Sequence, residues 1–135
     1  MLRGWRAHRA ASSALRHAFQ AFRTTVDRME RAKASLVSAA PGQRGSKVPL
    51  AEALFGFELG LAEASAGMLA WRVPEVDEAW WRCREGLDEA ARRAEALRLE
   101  GSPAGYEELA GVLADLLEPL QPFAEALQRF RELGL

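Results

Sequence analysis

The sequence contains no isoleucine and no asparagine, and only eight of its 135 residues are valine or threonine. These β-branched residues are the ones that pleated sheets favour, so their scarcity argues against a strand-rich fold. Alanine and leucine, in contrast, occupy 26 and 19 positions, and both are strong helix formers. The composition therefore predicts a chain that is helical almost throughout.

Cysteine and histidine are also scarce, with Cys83 the only thiol and both histidines, His8 and His17, close to the start. One cysteine can form neither an internal disulfide nor a cysteine-cluster metal site. The Glu-x-x-His pairs that di-iron bundles place on facing helices cannot form without a later histidine. No Gly-x-Ser-x-Gly motif or phosphate-binding loop is present. We therefore predict no catalytic residue, no metal ligand and no cofactor.

Long apolar runs are missing as well, since no stretch approaches the roughly 18 residues that a membrane-spanning helix needs. The first residues lack the basic-then-apolar order of a secretory signal. Together with the single cysteine, these features predict a cytoplasmic protein. Arginine outnumbers lysine sixteen to two, which with the absent isoleucine and asparagine indicates GC-rich coding and suggests a bacterial source.

Apolar residues recur every three or four positions in four segments, the spacing that keeps one face of a helix against a neighbour. Glycine and proline separate the segments. In a single domain, the pattern predicts helices over about 3–40, 49–72, 74–100 and 103–133. The second and third connections are only two to four residues long, so neighbouring helices must run antiparallel. We predict an antiparallel up-down-up-down four-helix bundle with a long first helix.

The apolar stripes also predict which residues form the core. In the first helix the stripe contains Leu15, Phe19, Phe22, Val26, Met29 and Leu36. In the other helices the expected core residues are Leu54, Phe57, Leu61, Trp80, Leu87, Leu113, Leu116 and Phe123. Gly56 and Gly60 recur with Ala64 every four residues beside the stripe of the second helix, which favours close pairing with another helix.

The fourth predicted helix contains Pro119 and Pro122, and neither proline can donate a backbone hydrogen bond. The apolar stripe nevertheless keeps its phase across both residues. We therefore predict a kink, or two collinear pieces, and no reversal of the chain direction at this point.

Two adjacent tryptophans, Trp80 and Trp81, lie in the third predicted helix with Cys83. Trp80 and Cys83 are in phase with the apolar stripe, so both are expected in the core, where Cys83 would be an inert thiol. Trp81 points roughly 130° away from the stripe, among charged residues. Large exposed aromatic residues are typical of interfaces, so Trp81 is a candidate anchor for another copy or a partner. Alternatively, the buried stripe is broad or a loop covers Trp81.

Charge is distributed unevenly: residues 1–48 carry a net charge of +8 and residues 49–135 a net charge of −9. The first 26 residues contain no acid, and Arg3, Arg6 and Arg9 lie there beside Trp5. One explanation is structural, with the basic first helix lying between acidic second and fourth helices. The other is functional, with the arginines facing outward to bind nucleic acid or an anionic membrane surface.

Three functional hypotheses follow. The favoured one is a non-enzymatic helical interaction module or small structural subunit that forms homo-oligomers. The first alternative is a peripheral adaptor whose basic N-terminal helix binds anionic lipid or nucleic acid. The second is a small-ligand binder that uses the interior of the bundle. The first helix is much longer than the second, so roughly its first ten residues are expected to project beyond the bundle or to pack on another copy.

Overall fold

A computed structural model of the protein describes the backbone of residues 2–38, 50–101 and 106–135, and the side chains of residues 13–38, 50–101 and 110–135. Within these ranges every regular element is helical and no strand occurs, so the predicted all-helical class is confirmed. None of the helices described is long and apolar enough to cross a membrane. The α-helices are α1 (Leu2–Val37), α2 (Leu50–Ala66), α3 (Asp77–Glu100), α4 (Tyr106–Leu117) and α5 (Pro122–Glu132).

Short 3-10 turns connect the helices where the sequence places glycine or proline. Met68–Trp71 follows α2, Pro74–Val76 precedes α3, and Glu118–Leu120 joins α4 to α5. The predicted connection at 41–49 lies outside the described residues, as does most of the connection before α4.

The two prolines of the last segment divide it into α4 and α5. Without their N–H groups the α-helical bonds at these positions cannot form. Instead, the N–H of Gln121 donates to the carbonyl of Glu118 at 3.1 Å, which continues the helical sense through a 3-10 turn. The same helix, α3, contacts α4, the turn and α5. The segment thus consists of two helical pieces, and the chain does not reverse between them.

Contacts between consecutive segments join early residues of one helix to late residues of the next. Between α1 and α2 with its following turn, Ser35 contacts Gly56 and Phe22 contacts Trp71. Between α2 with that turn and α3, Glu58 contacts Arg98 and Met68 contacts Trp80. Between α3 and the last segment, Arg93 contacts Glu118 and Arg82 contacts Glu125.

Buried residues of α1 follow an alternating spacing of three and four. They are Leu15, Ala18, Phe22, Thr25, Met29, Ala32 and Leu36. This heptad spacing is the one that gives knobs-into-holes packing between nearly parallel or antiparallel helices. The apolar pattern predicted Phe19 and Val26 at the centre of this stripe, but both are only half-buried at its edge. Small side chains occupy the centre at those levels instead.

The small residues of α1 lie where α2 comes closest. A Cβ added to Gly60 would be 2.8 Å from the Cα of Ala32, and one added to Gly67 would be 3.2 Å from Oγ1 of Thr25. A side chain at Gly60 would therefore collide with Ala32 and push the helices apart, and one at Gly67 would make an unusually tight contact with Thr25. The predicted close pairing at Gly56 and Gly60 is therefore observed, and Gly67 extends it by two further turns.

The core joins all the helical segments. All eight residues predicted for it outside α1 are buried, as is Cys83. At one end, Phe22 of α1 packs against Trp71 with 4.9 Å between ring centroids, and against Phe123 and Phe130 at 6.2 and 5.1 Å. This aromatic cluster links α1, the turn after α2, and α5.

Candidate interaction surface

The two adjacent tryptophans have different environments. Trp80 is buried and donates its Nε1–H to the carbonyl of Met68 at 2.7 Å. Trp81 packs edge-on against Trp80, with 4.9 Å between ring centroids, and 45% of its surface is exposed. The guanidinium of Arg72 lies 4.7 and 4.8 Å from the two ring centroids and also pairs with Asp77 at 3.3 Å. The sequence-based expectation of one buried and one exposed tryptophan is confirmed.

Cys83 lies one turn beyond the tryptophan pair and is fully buried. Burial raises the pKa of its thiol to about 12, and the negative charge of Glu125 acts in the same direction. The thiol is therefore protonated at neutral pH, whereas the thiolate is the form that attacks substrates or binds metals. Among the side chains that the structure describes, no group of three or more His, Cys, Asp or Glu residues could hold a metal ion.

The outer face of α2 carries a second apolar stripe, opposite the one in the core. Its exposed members are Ala51, Phe55, Leu59, Ala62, Ala66 and, in the following turn, Leu69. We call these six residues the outer stripe. Their spacings of four, four, three, four and three keep them within a sector of roughly 80° at 100° per residue. The three large members, Phe55, Leu59 and Leu69, are 57, 52 and 74% exposed.

Two exposed apolar side chains of α3 lie level with residues of the outer stripe. The contact between Met68 and Trp80 places Trp81 close to the level of Leu69. Leu99, which is 71% exposed, follows Arg98, the partner of Glu58 at 2.7 Å, and so lies level with the stretch between Phe55 and Leu59. The α2–α3 side of the molecule therefore has large apolar groups at two levels, with Ala62 and Ala66 between them.

The outer stripe has an acidic border, because the charged residues of α2 are Glu52, Glu58 and Glu63. Glu58 lies on the α3 side and pairs with Arg98, and this contact raises the pKa of the Arg98 guanidinium. Glu52 and Glu63 lie on the α1 side, and neither forms an ion pair with any side chain that the structure describes. Two carboxylates beside the stripe are thus available to another molecule.

Three basic residues of α1, Arg23, Arg28 and Arg31, form no ion pair with the acidic helices among the described side chains. Among these side chains, no carboxylate lies within 4.0 Å of Arg23, Arg28 or Arg31. Arg28 donates to the main-chain carbonyl of Glu63 at 3.2 Å, and Arg23 lies 5.9 Å from the ring centroid of Phe19. At these three arginines, the structural explanation of the basic helix is not supported.

The candidate residues Arg3, Trp5, Arg6 and Arg9 have side chains outside the described ranges, although their backbone belongs to α1. Leu15 is the first buried residue described in α1, and Phe19 stacks on Phe130 of α5 with 5.3 Å between centroids. α5 ends two residues after Phe130, and the helical backbone of α1 extends for roughly 20 Å over residues 2–14, before Leu15.

A groove of about 960 Å³ opens between α1 and the α4–α5 segment. Its floor is apolar and includes Phe19, Phe22, Val26, Leu120, Phe123 and Leu127. Its rim carries charges of both signs, from Arg23, Lys33 and Arg131 and from Asp27 and Glu30. Lys33 and Glu30 pair with each other at 3.2 Å, so the rim has little preference for the charge of a ligand. Nothing in the lining of this groove favours a class of ligand, and the hypothesis of a small ligand inside the bundle stays a prediction.

Comparison of the chain with known proteins found no matching family model, no similar curated protein and no similar solved structure.

Proposed function

We propose that this protein is a non-enzymatic helical interaction module that self-associates through the outer stripe of α2 and the neighbouring Trp81. The observation that carries the proposal is the shared face of six exposed apolar positions, five on α2 and one in the turn that follows it. Single exposed leucines are common on monomers, whereas a contiguous apolar stripe with a charged border is typical of a contact surface.

The fold proposed for this module is the up-down-up-down four-helix bundle. Antiparallel contacts between α1 and α2, between α2 and α3, and between α3 and the last segment support it. In such a bundle the buried stripe of α2 is already used by its neighbours. The outer stripe is then the surface of α2 that remains for another molecule.

Sedimentation velocity over a range of micromolar concentrations tests the self-association. We expect a dimer or larger species for the wild type, and a shift toward monomer for Leu59→Glu and for Trp81→Glu. Val37→Glu is the matched control, because Val37 is 44% exposed on α1 and does not belong to the stripe. A wild-type protein that remains monomeric at the highest concentration would refute the proposal.

The peripheral adaptor is retained as a second candidate because of the arginines of α1. Arg23, Arg28 and Arg31 have no carboxylate partner among the described residues, so their charge is available to an anionic surface. Binding to phosphatidylserine vesicles or duplex DNA should then be clear at about 50 mM salt and nearly lost at about 200 mM, since counterions are released on binding.

Two triple variants distinguish the second candidate from nonspecific attraction. Replacing Arg3, Arg6 and Arg9 with glutamine should abolish binding to vesicles or DNA. The same replacement of Arg82, Arg84 and Arg92, which pair with carboxylates on α3 and α5, should leave most binding intact. Equal losses for both variants, or no binding by the wild type at low salt, would contradict the adaptor hypothesis.

A further inference from the structure

We propose that two copies of the chain associate through an antiparallel contact between their α2 helices, with the two-fold axis passing beside Ala62. This inference rests on the proposed function and specifies the geometry of the same surface. In a two-fold interface one surface patch meets its own copy, so the patch must be complementary to itself after rotation.

The outer stripe has the symmetry that this rotation requires. Phe55 and Leu69 each lie seven residues from Ala62, while Leu59 and Ala66 lie three and four residues from it. An antiparallel contact centred on Ala62 therefore places Phe55 of each copy against Leu69 of the other. It brings Ala62 of both copies to the crossing point, where small side chains allow two helices to approach most closely.

Charge complementarity supports the same axis. The contact of Ala32 with Gly60 places Arg31 of α1 level with residue 61 of α2. Rotation about Ala62 brings Glu63 of the other copy to that same level. Glu63 borders the stripe on the α1 side, and neither its carboxylate nor the guanidinium of Arg31 has an ion-pair partner among the described side chains. The dimer would thus form two equivalent pairs between Arg31 and Glu63.

A parallel contact between the two α2 helices would have the opposite electrostatic effect. Each glutamate of α2 would then lie level with the same glutamate of the other copy, and α2 has no basic residue to separate them. Like charges placed side by side at an interface disfavour association. The acidic border therefore favours the antiparallel arrangement.

Cysteine cross-linking tests the position of the axis directly. Where two helices cross at alanines, their axes lie about 8 Å apart, and each Cα atom lies about 2.3 Å from the axis of its own helix. The Cα atoms of two facing residues are therefore within the roughly 7 Å that a disulfide allows. Mild oxidation should therefore convert Ala62→Cys to a covalent dimer. The native Cys83 is buried, so the wild type should not cross-link.

Ala66→Cys is the matched control, since Ala66 is an equally exposed alanine of the same stripe. In the proposed dimer the two copies of residue 66 are eight residues apart along the helices, or roughly 12 Å, which is too far for a disulfide. Cross-linking at residue 66 as strong as at residue 62 would rule out the proposed axis. Thermal melts of both reduced variants should match the wild type, which excludes misfolding as a cause.

A charge exchange tests the pairing between Arg31 and Glu63. Arg31→Glu and Glu63→Arg should each weaken the dimer roughly tenfold in sedimentation experiments, and the variant carrying both changes should recover most of the affinity. Additive losses would mean that the two residues do not meet. A wild-type dimer that fails the cross-linking and exchange tests would contradict only this geometry, whereas a monomeric wild type would also contradict the proposed function.

Discussion

Gly86 lies where α3 meets the 3-10 turn between α4 and α5. A Cβ added there would overlap the carbonyl oxygen of Pro119 and would lie 3.2 Å from its carbonyl carbon. The atoms in the way belong to the backbone, so no side-chain rotation can relieve the overlap. This one residue therefore sets the distance between α3 and the last segment.

Substitution of Gly86 by alanine should destabilise the fold. Overpacking of this kind costs about 1 to 3 kcal/mol, which exceeds the roughly 1 kcal/mol that alanine contributes through helix propensity. Gly111 of α4 is the matched control, because a Cβ there meets nothing within 4 Å, so Gly111→Ala should be stabilising. Urea unfolding measures both changes, and a shift of the same sign for the two variants would show that the overlap with Pro119 does not decide the stability.

The glycines also show which single-residue features a sequence can reveal. Gly56 and Gly60 repeat at helical spacing beside an apolar stripe, and this local pattern predicted a close approach that the structure contains. Gly86 has no such repeat, and the residue that it contacts, Pro119, is distant in sequence. Only the tertiary structure brings the two together, so the sequence could not identify this constraint.

The helix α2 has two apolar faces. Its inner face follows the heptad positions Leu54, Phe57, Leu61 and Ala64, and its outer face is the outer stripe. Periodicity predicted the inner face, because those residues continue in phase over the whole helix. Periodicity does not single out the outer stripe, because α2 contains only three charged residues and apolar residues therefore occur on both of its faces. Which apolar residues are buried then depends on where α1 and α3 lie.

Truncation of leucines separates the two kinds of apolar residue. Leu61→Ala and Leu116→Ala should each lower the free energy of unfolding by roughly 2 to 5 kcal/mol, because both side chains are buried. Leu69→Ala should change it by less than about 0.5 kcal/mol at concentrations where the protein is monomeric. Denaturant melts provide the values. A loss below about 0.5 kcal/mol at Leu61 would mean that the inner face is assigned in the wrong register.

In α1 two large apolar side chains lie at the edge of the buried face and not at its centre. Phe19 and Val26 are large and apolar, so a stripe drawn through the largest residues includes them. The observed centre of the stripe instead passes through Ala18 and Thr25. Thr25 lies against Gly67, which directly follows α2, and a Cβ added to Gly67 would be 3.2 Å from Oγ1 of Thr25. The class of the element could be predicted from its own residues, but the centre of its buried face depends on a partner helix.

Among the side chains that the structure describes, α3 provides most of the ion pairs between helices. Arg98 pairs with Glu58 of α2, while Arg82 and Arg93 pair with acids of the last segment. In α1, Lys33 pairs with Glu30 of the same helix. Segment charges of +8 and −9 predicted an attraction between α1 and its neighbours, but such totals do not specify where each side chain points. Packing at the glycines and in the aromatic cluster holds α1 instead.

The difference between these two groups of arginines can be measured in the stability of the fold. Arg23→Gln, Arg28→Gln and Arg31→Gln should each change the free energy of unfolding by no more than about 0.5 kcal/mol, since exposed charges without an ion-pair partner contribute little. Arg98→Gln should lower the melting temperature more than any of these three, because it breaks the 2.7 Å contact with Glu58 that joins α3 to α2. Glu58→Gln on the other side of the contact should produce a comparable loss. Melts at low protein concentration keep self-association out of the comparison. If the α1 variants proved less stable than Arg98→Gln, attraction to the acidic neighbours would be holding the basic helix in place. The arginines of α1 would then not be available to bind a partner.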